Sequence, residues 1–369
     1  MENIARKSLF SGLMPKKSVS IKVPKVHGEK AIILANKLKI VNRELEIQKS
    51  KNSIYIPLVR KPLETELKTL KEQVPDSEVL TRMFPERKRQ AKTFIELLQS
   101  KLPPHLLASL PRAIDFVGDI AIVEIPQELD AHKSMIGEAI LKTHKKMRTV
   151  LAKASAISGT YRLREFSLIA GEPKTETIHK EHGCQYHVDL AKAYFSPRLS
   201  YEHSRVASQV KEGETVVDLF AGVGPFAVQI AKTHENVKVY ALDVNPYAIE
   251  LLRRNIRLNR VEGKIHPISG DAKQVVEERL SRVAERVIMN LPEKAIEFVD
   301  AACKTTKPIG GIVHFYSFIS VSNSLENVKL RFTEAVEKCG RKVDKIFFSR
   351  LVRATAPYEW QVVLDAKIH

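Results

Sequence analysis

Between residues 200 and 369, five short apolar runs at 215–219, 237–243, 264–268, 286–290 and 311–317 alternate with helix-like stretches. Runs separated by a helix cannot meet as hairpins. Each must cross back over a sheet face, and the outcome is a parallel, doubly wound α/β sheet. Two final runs, 342–351 and 360–368, flank a turn containing Pro357 and read as an antiparallel pair closing that sheet.

The 369-residue chain exceeds one average domain of about 150 residues. Residues 1–20 read as a loose basic tail. Residues 21–62 read as a small α+β unit, with strands at 21–23 and 53–58 and a helix at 29–38. A short helix or linker is expected at 61–76, between Pro62 and Pro75. A second α+β unit is expected over 76–180, and the domain built on the doubly wound sheet over 181–369. In the second unit, 86–101 is helix-like with Phe94, Leu97 and Leu98 at core spacing, and 114–117 and 120–125 flank a Gly118-Asp119 hairpin turn. A helix at 130–146 ends in Lys142, Lys145, Lys146 and Arg148, which suit a helix C-terminus and phosphate contact equally. Alternation over 175–190 predicts a hairpin turning at His182-Gly183.

Charge narrows the partner. The net charge is +17, and residues 1–62 alone hold 14 Lys or Arg against four acids. Such a surface neutralises phosphates and releases counterions without reading base sequence; a merely solubilising surface is the plainer alternative. No apolar run approaches the roughly 18 residues a bilayer requires, and none of signal-peptide length follows Arg6, Lys7, Lys16 and Lys17. A cytoplasmic protein with no membrane partner is expected. Cys184, Cys303 and Cys339 lie far apart without CxxC spacing, which disfavours a zinc site and a disulfide framework and leaves them as buried thiols.

In Val216-Val217-Asp218-Leu219-Phe220-Ala221-Gly222-Val223-Gly224-Pro225-Phe226, a buried strand ends in an acid and runs through glycines into a helix. Gly222 and Gly224 allow close backbone approach to a ligand at the carboxyl edge of the sheet. Pro225 and Ala227 break the dinucleotide pattern GxGxxG. The next strand ends at Asp243, before Val244, Asn245 and Pro246, and Asp271 follows the third. Any one of these acids could be a helix cap, but three at successive strand ends favour a ligand. The pattern resembles the class I (Rossmann-like) methyltransferases. That resemblance implies S-adenosyl-L-methionine as cofactor, with Asp218 toward its amino-acid end, Asp243 on the ribose, Asp271 on the adenine, and Gly222, Gly224, Val244, Ala272, Asn290 and Pro292 alongside.

Asn290-Leu291-Pro292-Glu293 ends the fourth strand. By itself Asn-x-Pro is also a common turn, and Glu293 stands where amino-group methyltransferases carry a base-stacking aromatic. Together with Tyr194-Phe195-Ser196-Pro197-Arg198-Leu199-Ser200-Tyr201-Glu202-His203-Ser204-Arg205, Arg162-Leu163-Arg164-Glu165, Lys25-Val26-His27-Gly28-Glu29 and Ala356-Pro357-Tyr358-Glu359, it closely resembles the archaeal and eukaryotic tRNA guanine-37 N1-methyltransferases. The likeness covers nearly the whole chain from Ile21. It implies tRNA as substrate, met by a monomer at the anticodon loop and body, with no role for DNA and no metal ligand. It also implies Glu202 as general base, Arg162 against charge growing on O6, Asn290 on the guanine edge, Arg198 holding the base or neighbouring acids, and His203 touching the cofactor. Read singly, Glu202 is a helix-entry acid, Arg205 a salt-bridge partner, and Tyr194 and Phe195 core aromatics. Wybutosine-pathway enzymes share the sheet and the cofactor, and transfer an aminocarboxypropyl group or methylate C7 of a tricyclic base; the former generally lack the small first domain, so residues 21–58 favour the methyltransferase, and a dual-specificity, C7-methylating relative is the remaining alternative. A non-catalytic RNA-binding scaffold is disfavoured by the intact acids.

Overall fold

The computed structural model describes residues 15–87, 93–320, 324–356 and 358–369, and the chain divides into two compact units, 1–91 and 92–369. The basic residues Arg6 and Lys7 and the turn residue Pro357 lie outside the described residues. No described helix is long and apolar enough to cross a membrane.

The first unit holds β1 (Lys16–Pro24), α1 (Gly28–Lys37), β2 (Gln48–Lys49), β3 (Ser53–Pro57), α2 (Glu64–Gln73) and β4 (Glu78–Phe84), in an antiparallel sheet ordered β2-β3-β1-β4. Ile21, Val23, Ile54 and Ile56 face Ala31 and Leu34 of α1 and Leu70 of α2. Two expectations need correction. β1 begins at Lys16, inside the stretch read as tail, and the unit continues past residue 62 through α2 and β4. β4 is mostly polar and finds its place only by pairing with β1, from Lys16↔Phe84 to Lys22↔Glu78. Such distant pairing leaves little local periodicity to read.

The second unit opens with α3 (Phe94–Leu98), α4 (Pro104–Ala108), β5 (Asp115–Val117), β6 (Ile120–Val123), α5 (Lys133–Thr143), β7 (Thr149–Lys153) and β8 (Phe166–Gly171), with sheet order β5-β6-β7-β8. The helix expected over 86–101 is shorter: Thr93 caps α3 by accepting from the Glu96 N–H, and residues 88–92 are outside the described set. The hairpin β9 (Glu176–Glu181) and β10 (Cys184–Asp189) turns at His182 and Gly183 as expected, both at positive φ. Gly118, at the β5–β6 turn, has φ +55° and packs so closely on Thr177 of β9 that a side chain there would collide with it.

The rest runs α6 (Ser200–Gln209), β11 (Thr215–Asp218), α7 (Pro225–Thr233), β12 (Lys238–Asp243), α8 (Pro246–Asn259), β13 (Ile265–Ser269), α9 (Ala272–Arg279), β14 (Arg286–Met289), α10 (Val299–Thr305), β15 (Gly311–Ser320), α11 (Leu325–Lys338), β16 (Val343–Ala356) and β17 (Glu359–Ile368). The sheet order is β13-β12-β11-β14-β15-β17-β16, parallel through β15, with β17 and β16 antiparallel. The five parallel runs and the terminal pair therefore stand as read. Successive strand residues serve opposite cores: Val216, Val239 and Ile288 on one face, Val217, Leu242, Val287 and Met289 on the other. Each such buried side chain contributes about 1.5–3 kcal/mol relative to exposure. α8 also holds β10: Asn255 and Asn259 accept from the backbone N–H of His187 and Gln185 at 2.6 and 2.8 Å. Cys184 and Cys303 are buried, but Cys339, expected to be buried too, is exposed just past α11.

Candidate active site

The parallel strands end together at one sheet edge, and a cavity opens there against Leu219 to Gly222, Asp243 to Asn245, Gly270 to Ala272 and Asn290 to Lys294. The turn after β11 sets its floor. Gly224 has φ +87° and caps α7, and a Cβ there would strike Leu252, so the backbone lies tight against α8. Asp243 turns its carboxylate toward the glycine turn: Oδ2 accepts from Gly222 N at 2.7 Å and Oδ1 from Asn245 N at 2.8 Å. Asp271 lines the cavity and also caps α9, accepting from the N–H groups of Lys273 and Gln274. The capping reading and the ligand reading of this residue are thus compatible. Burial drives the Asp243 carboxyl above its ordinary range, against the two backbone N–H groups that lower it.

Asp218 is fully buried and behind the wall. Its Oδ1 accepts from Phe220 N at 3.3 Å, while Oδ2 has no partner among the described residues. Burial, with the Asp243 charge adding to it, pushes its carboxyl up to about 7. Neither Asp218 nor Gly224 is among the residues facing the cavity. Gly222, Asp243, Val244, Asp271, Ala272, Asn290, Pro292 and His203 all are.

His203 comes from α6 and meets Phe226 edge-on at 4.7 Å between ring centres. Its Nδ1–H donates to Glu181 Oε1 at 2.6 Å, so Nε2 is the nitrogen left for a ligand. Burial alone would raise Glu181, but hydrogen bonds and charge from His179 and His203 bring it down to about 2. The sequence reading missed Glu181. Its signal is weak: an acid two residues after His179 on one face of a short strand.

Asn290 is held by the terminal hairpin. Gln361 Nε2 donates to Asn290 Oδ1 at 3.2 Å, Arg353 Nε donates to Gln361 Oε1 at 2.9 Å, and Arg353 also reaches Ser196 Oγ and the Tyr194 hydroxyl. Gln361 and Arg353 were not anticipated, because only the β15–β17 and β16–β17 pairings bring them to the strand end. Arg162, at φ +55°, lies 3.1 Å from Glu293 and 5.2 Å above the Tyr194 ring.

A second cleft adjoins the first. Both are walled by Arg162, Tyr194, Phe195, Ser196, Glu293 and Arg353, and Arg198 lines only the second. Arg198 is committed to Asp115, with Nε to Oδ1 at 2.5 Å and Nη2 to Oδ2 at 3.0 Å. It therefore holds a neighbouring acid.

Glu202 lines neither cavity. Its side chain is 1% exposed, Oε2 accepts from Arg205 Nη2 and the Tyr316 hydroxyl at 2.8 Å each, and Oε1 accepts from Arg350 Nη2 at 2.7 Å. A base standing free at the guanine edge is thus not what the chain presents. Arg205 is the salt-bridge partner it could have been, bridging Glu202 to Asp365. Phe195 packs in the core and lines the cavity as well.

Residues 177–345 match the TRM5/TYW2 methyltransferase domain, 94–175 the TYW2 N-terminal domain, and 20–66 the tRNA methyltransferase 5 N-terminal domain. The tRNA (guanine(37)-N(1))-methyltransferase Trm5b of Pyrococcus abyssi is 36% identical over 95% of this chain and 99% of its own. The tRNA 4-demethylwyosine(37)-methyltransferase Taw21 of Saccharolobus solfataricus is 34% identical over 75% of this chain and 99% of its own. A solved complex of aTrm5 and tRNALeu is similar at 34% identity with a TM-score of 0.77, covering 95% of this chain and all of that one.

Proposed function

Because the chain belongs to the TRM5/TYW2 methyltransferase family, we propose that its two adjoining clefts carry out one reaction, transfer of a methyl group from S-adenosyl-L-methionine to N1 of guanosine 37 in tRNA. It is a tRNA (guanine(37)-N(1))-methyltransferase, and tRNA is its partner. One observation supports the assignment of sites: the two clefts share the wall of Arg162, Tyr194 and Glu293, and a donor and an acceptor must share a boundary for a group to pass between them.

S-adenosyl-L-methionine, when bound, supplies a methyl group on a positively charged sulfur. The residues present fit it: Asp243 for the ribose, Asp271 for the adenine amino group, and the tight Gly222 to Gly224 turn with the buried charge of Asp218 behind it. His203 turns Nε2 toward the cavity. On the guanine side, Asn290 has its oxygen engaged by Gln361, which leaves Nδ2 to donate to O6, and Arg162 opposes the charge that grows on O6 as N1 loses its proton.

Guanine N1 is protonated at neutral pH, so a base must take that proton while the methyl arrives. We assign this to Glu202 once Arg350 leaves it. Arg350 lies on the outermost strand with its side chain 33% exposed, over the exposed Tyr201 ring, where RNA phosphates can draw it away. Glu293 is the second reading, favoured by its place on the wall of both clefts and its contact with Arg162.

We assign tRNA recognition to the first unit, which carries the concentrated charge and the match at residues 20–66. That match also favours the N1 reaction over the wybutosine step, since Taw21 aligns with only 75% of the chain. The enzyme would act as a cytoplasmic monomer that reaches the anticodon loop and takes the base from its stack. Mapping methylated nucleosides after incubation with unmodified tRNA is expected to give 1-methylguanosine at position 37, with far less from a chain lacking residues 1–91 at limiting RNA. Methylation at another position would overturn the assignment.

A further inference from the structure

The second cleft holds five cations, Lys153, Arg162, Arg164, Arg198 and Arg353. Three have a carboxylate within ion-pair distance: Lys153 has Glu124 at 3.1 Å, Arg162 has Glu293 at 3.1 Å although its buried Nη1 makes no hydrogen bond, and Arg198 has Asp115 bidentately. Arg353 is held by neutral partners, Gln361, Ser196 and Tyr194. Arg164 makes no hydrogen bond or ion pair among the described residues, and its buried Nε has no partner. A guanidinium with an unmet buried donor is a costly arrangement unless a ligand completes it.

The loop that carries Arg164 is built to aim it. The loop is closed by the pairing of Ser158 with Leu163, by Arg162 N donating to Gly159 O at 3.1 Å, by Ala154 N donating to Glu165 O at 2.9 Å, and by Glu165 N donating to Ser155 Oγ at 3.0 Å. Arg162 and Arg164 flank Leu163, and both line the second cleft. The positions differ in what lies beside them: Arg162 is within ion-pair distance of Glu293 on the wall shared with the cofactor cavity, and Arg164 has no carboxylate partner among the described residues and lines the second cleft alone.

We propose that Arg164 binds a phosphodiester of the RNA backbone next to the target nucleotide, so that the second cleft takes the flipped guanosine together with one of its flanking phosphates. The site rests on the second cleft being the guanosine site, as assigned above. A planar guanidinium matches the paired oxygens of a phosphodiester, and a backbone contact fixes the register of the nucleotide without reading its base. The contact would seat the extruded base beside Arg162 and Asn290.

The test uses the full chain and tRNA transcripts. In Arg164→Gln, tRNA affinity is expected to fall about tenfold, and the slope of log affinity against log salt to become shallower by about 0.7–0.9, the value of one phosphate contact. S-adenosyl-L-methionine affinity should not change, and Arg164→Lys should recover part of the loss. A synthetic anticodon stem-loop with a neutral methylphosphonate on either side of G37 places the contact. One of the two linkages should weaken wild-type binding and leave Arg164→Gln unaffected. An unchanged salt slope, or an equal methylphosphonate effect in both proteins, overturns the proposal. So does a loss confined to kcat with tRNA affinity intact, because Arg164 would then be orienting Arg162. Failure of wild type to methylate G37 would instead remove the reading on which the site rests.

Discussion

Asp218, behind the wall of the cofactor cleft, and the acids of the Arg205 seam are equally buried and oppositely supplied. In the seam, Arg205 bridges Glu202 and Asp365, His314 Nδ1–H donates to Asp365 Oδ1 at 2.7 Å, and Arg286 joins His314 to Glu214. Burial alone would raise Asp365, but hydrogen bonds and charge from His314 and Arg205 hold it well below the usual carboxylate range. In the cleft, Asp218 and Asp243 receive only backbone N–H groups, Asp218 Oδ2 has nothing among the described residues, and both carboxyls are driven upward. Paired buried charge holds a structure in one arrangement, whereas unpaired buried charge awaits a counter-charge. Burial alone therefore does not tell these two settings apart, but the supply of partners does.

The largest test of this contrast removes the shared cation. Arg205→Ala strands Glu202 and Asp365 together, and a loss of about 3–5 kcal/mol is expected, the range for breaking a buried pair. Urea unfolding measures it, and a loss under about 1 kcal/mol would mean that the seam does not depend on charge compensation.

Glu202 sits in the seam yet is assigned to the chemistry, so it sharpens the contrast. Glu202→Gln should slow single-turnover methyl transfer by roughly a hundredfold, with both ligands still bound and the rate recovering toward high pH as guanine ionises unaided. Glu293→Gln should have a smaller effect. If Glu293→Gln shows the large loss and Glu202→Gln a near-normal rate, the base lies in the cleft and Glu202 is purely structural.

The smallest effect concerns pH. Asp218 titrates near 7 in the folded chain against an ordinary value of 3.8. Its favourable contribution is thus fully present below about pH 4 and is lost as pH rises through 7. Asp218→Asn removes that loss, and the ligand-free variant at pH 8 should be about 1–2 kcal/mol more stable than wild type, local relaxation eroding the full shift. Asp365 has the opposite sign, its contribution lasting until pH falls far below 4. Thermal unfolding from pH 4 to 8 checks this; a wild-type stability that rises over that window would contradict the placement of Asp218.

Much of this protein was readable in one dimension because its signals are local. A strand buried on both faces is a short apolar run, and the glycines after Asp218 announce the φ values and close approach that the turn requires. The parallel sheet, the terminal antiparallel pair, the Gly118 and His182 turns and the acids at strand ends followed from such signals, and the family resemblance located Arg162, Asn290 and His203 at the cavity. Tertiary structure alone decided what depends on residues distant in sequence. β4 joins the first unit through β1, Gln361 and Arg353 orient Asn290 through the register of β17, and Glu181 orients His203 from the preceding hairpin. Glu202 is the clearest case. Its helix and its neighbour His203 were legible, but the three donors that occupy its carboxylate come from Arg205 on its own helix and from Tyr316 and Arg350 on two other strands. Whether a buried carboxylate is free or compensated depends on which distant side chains the fold brings within about 3 Å of it.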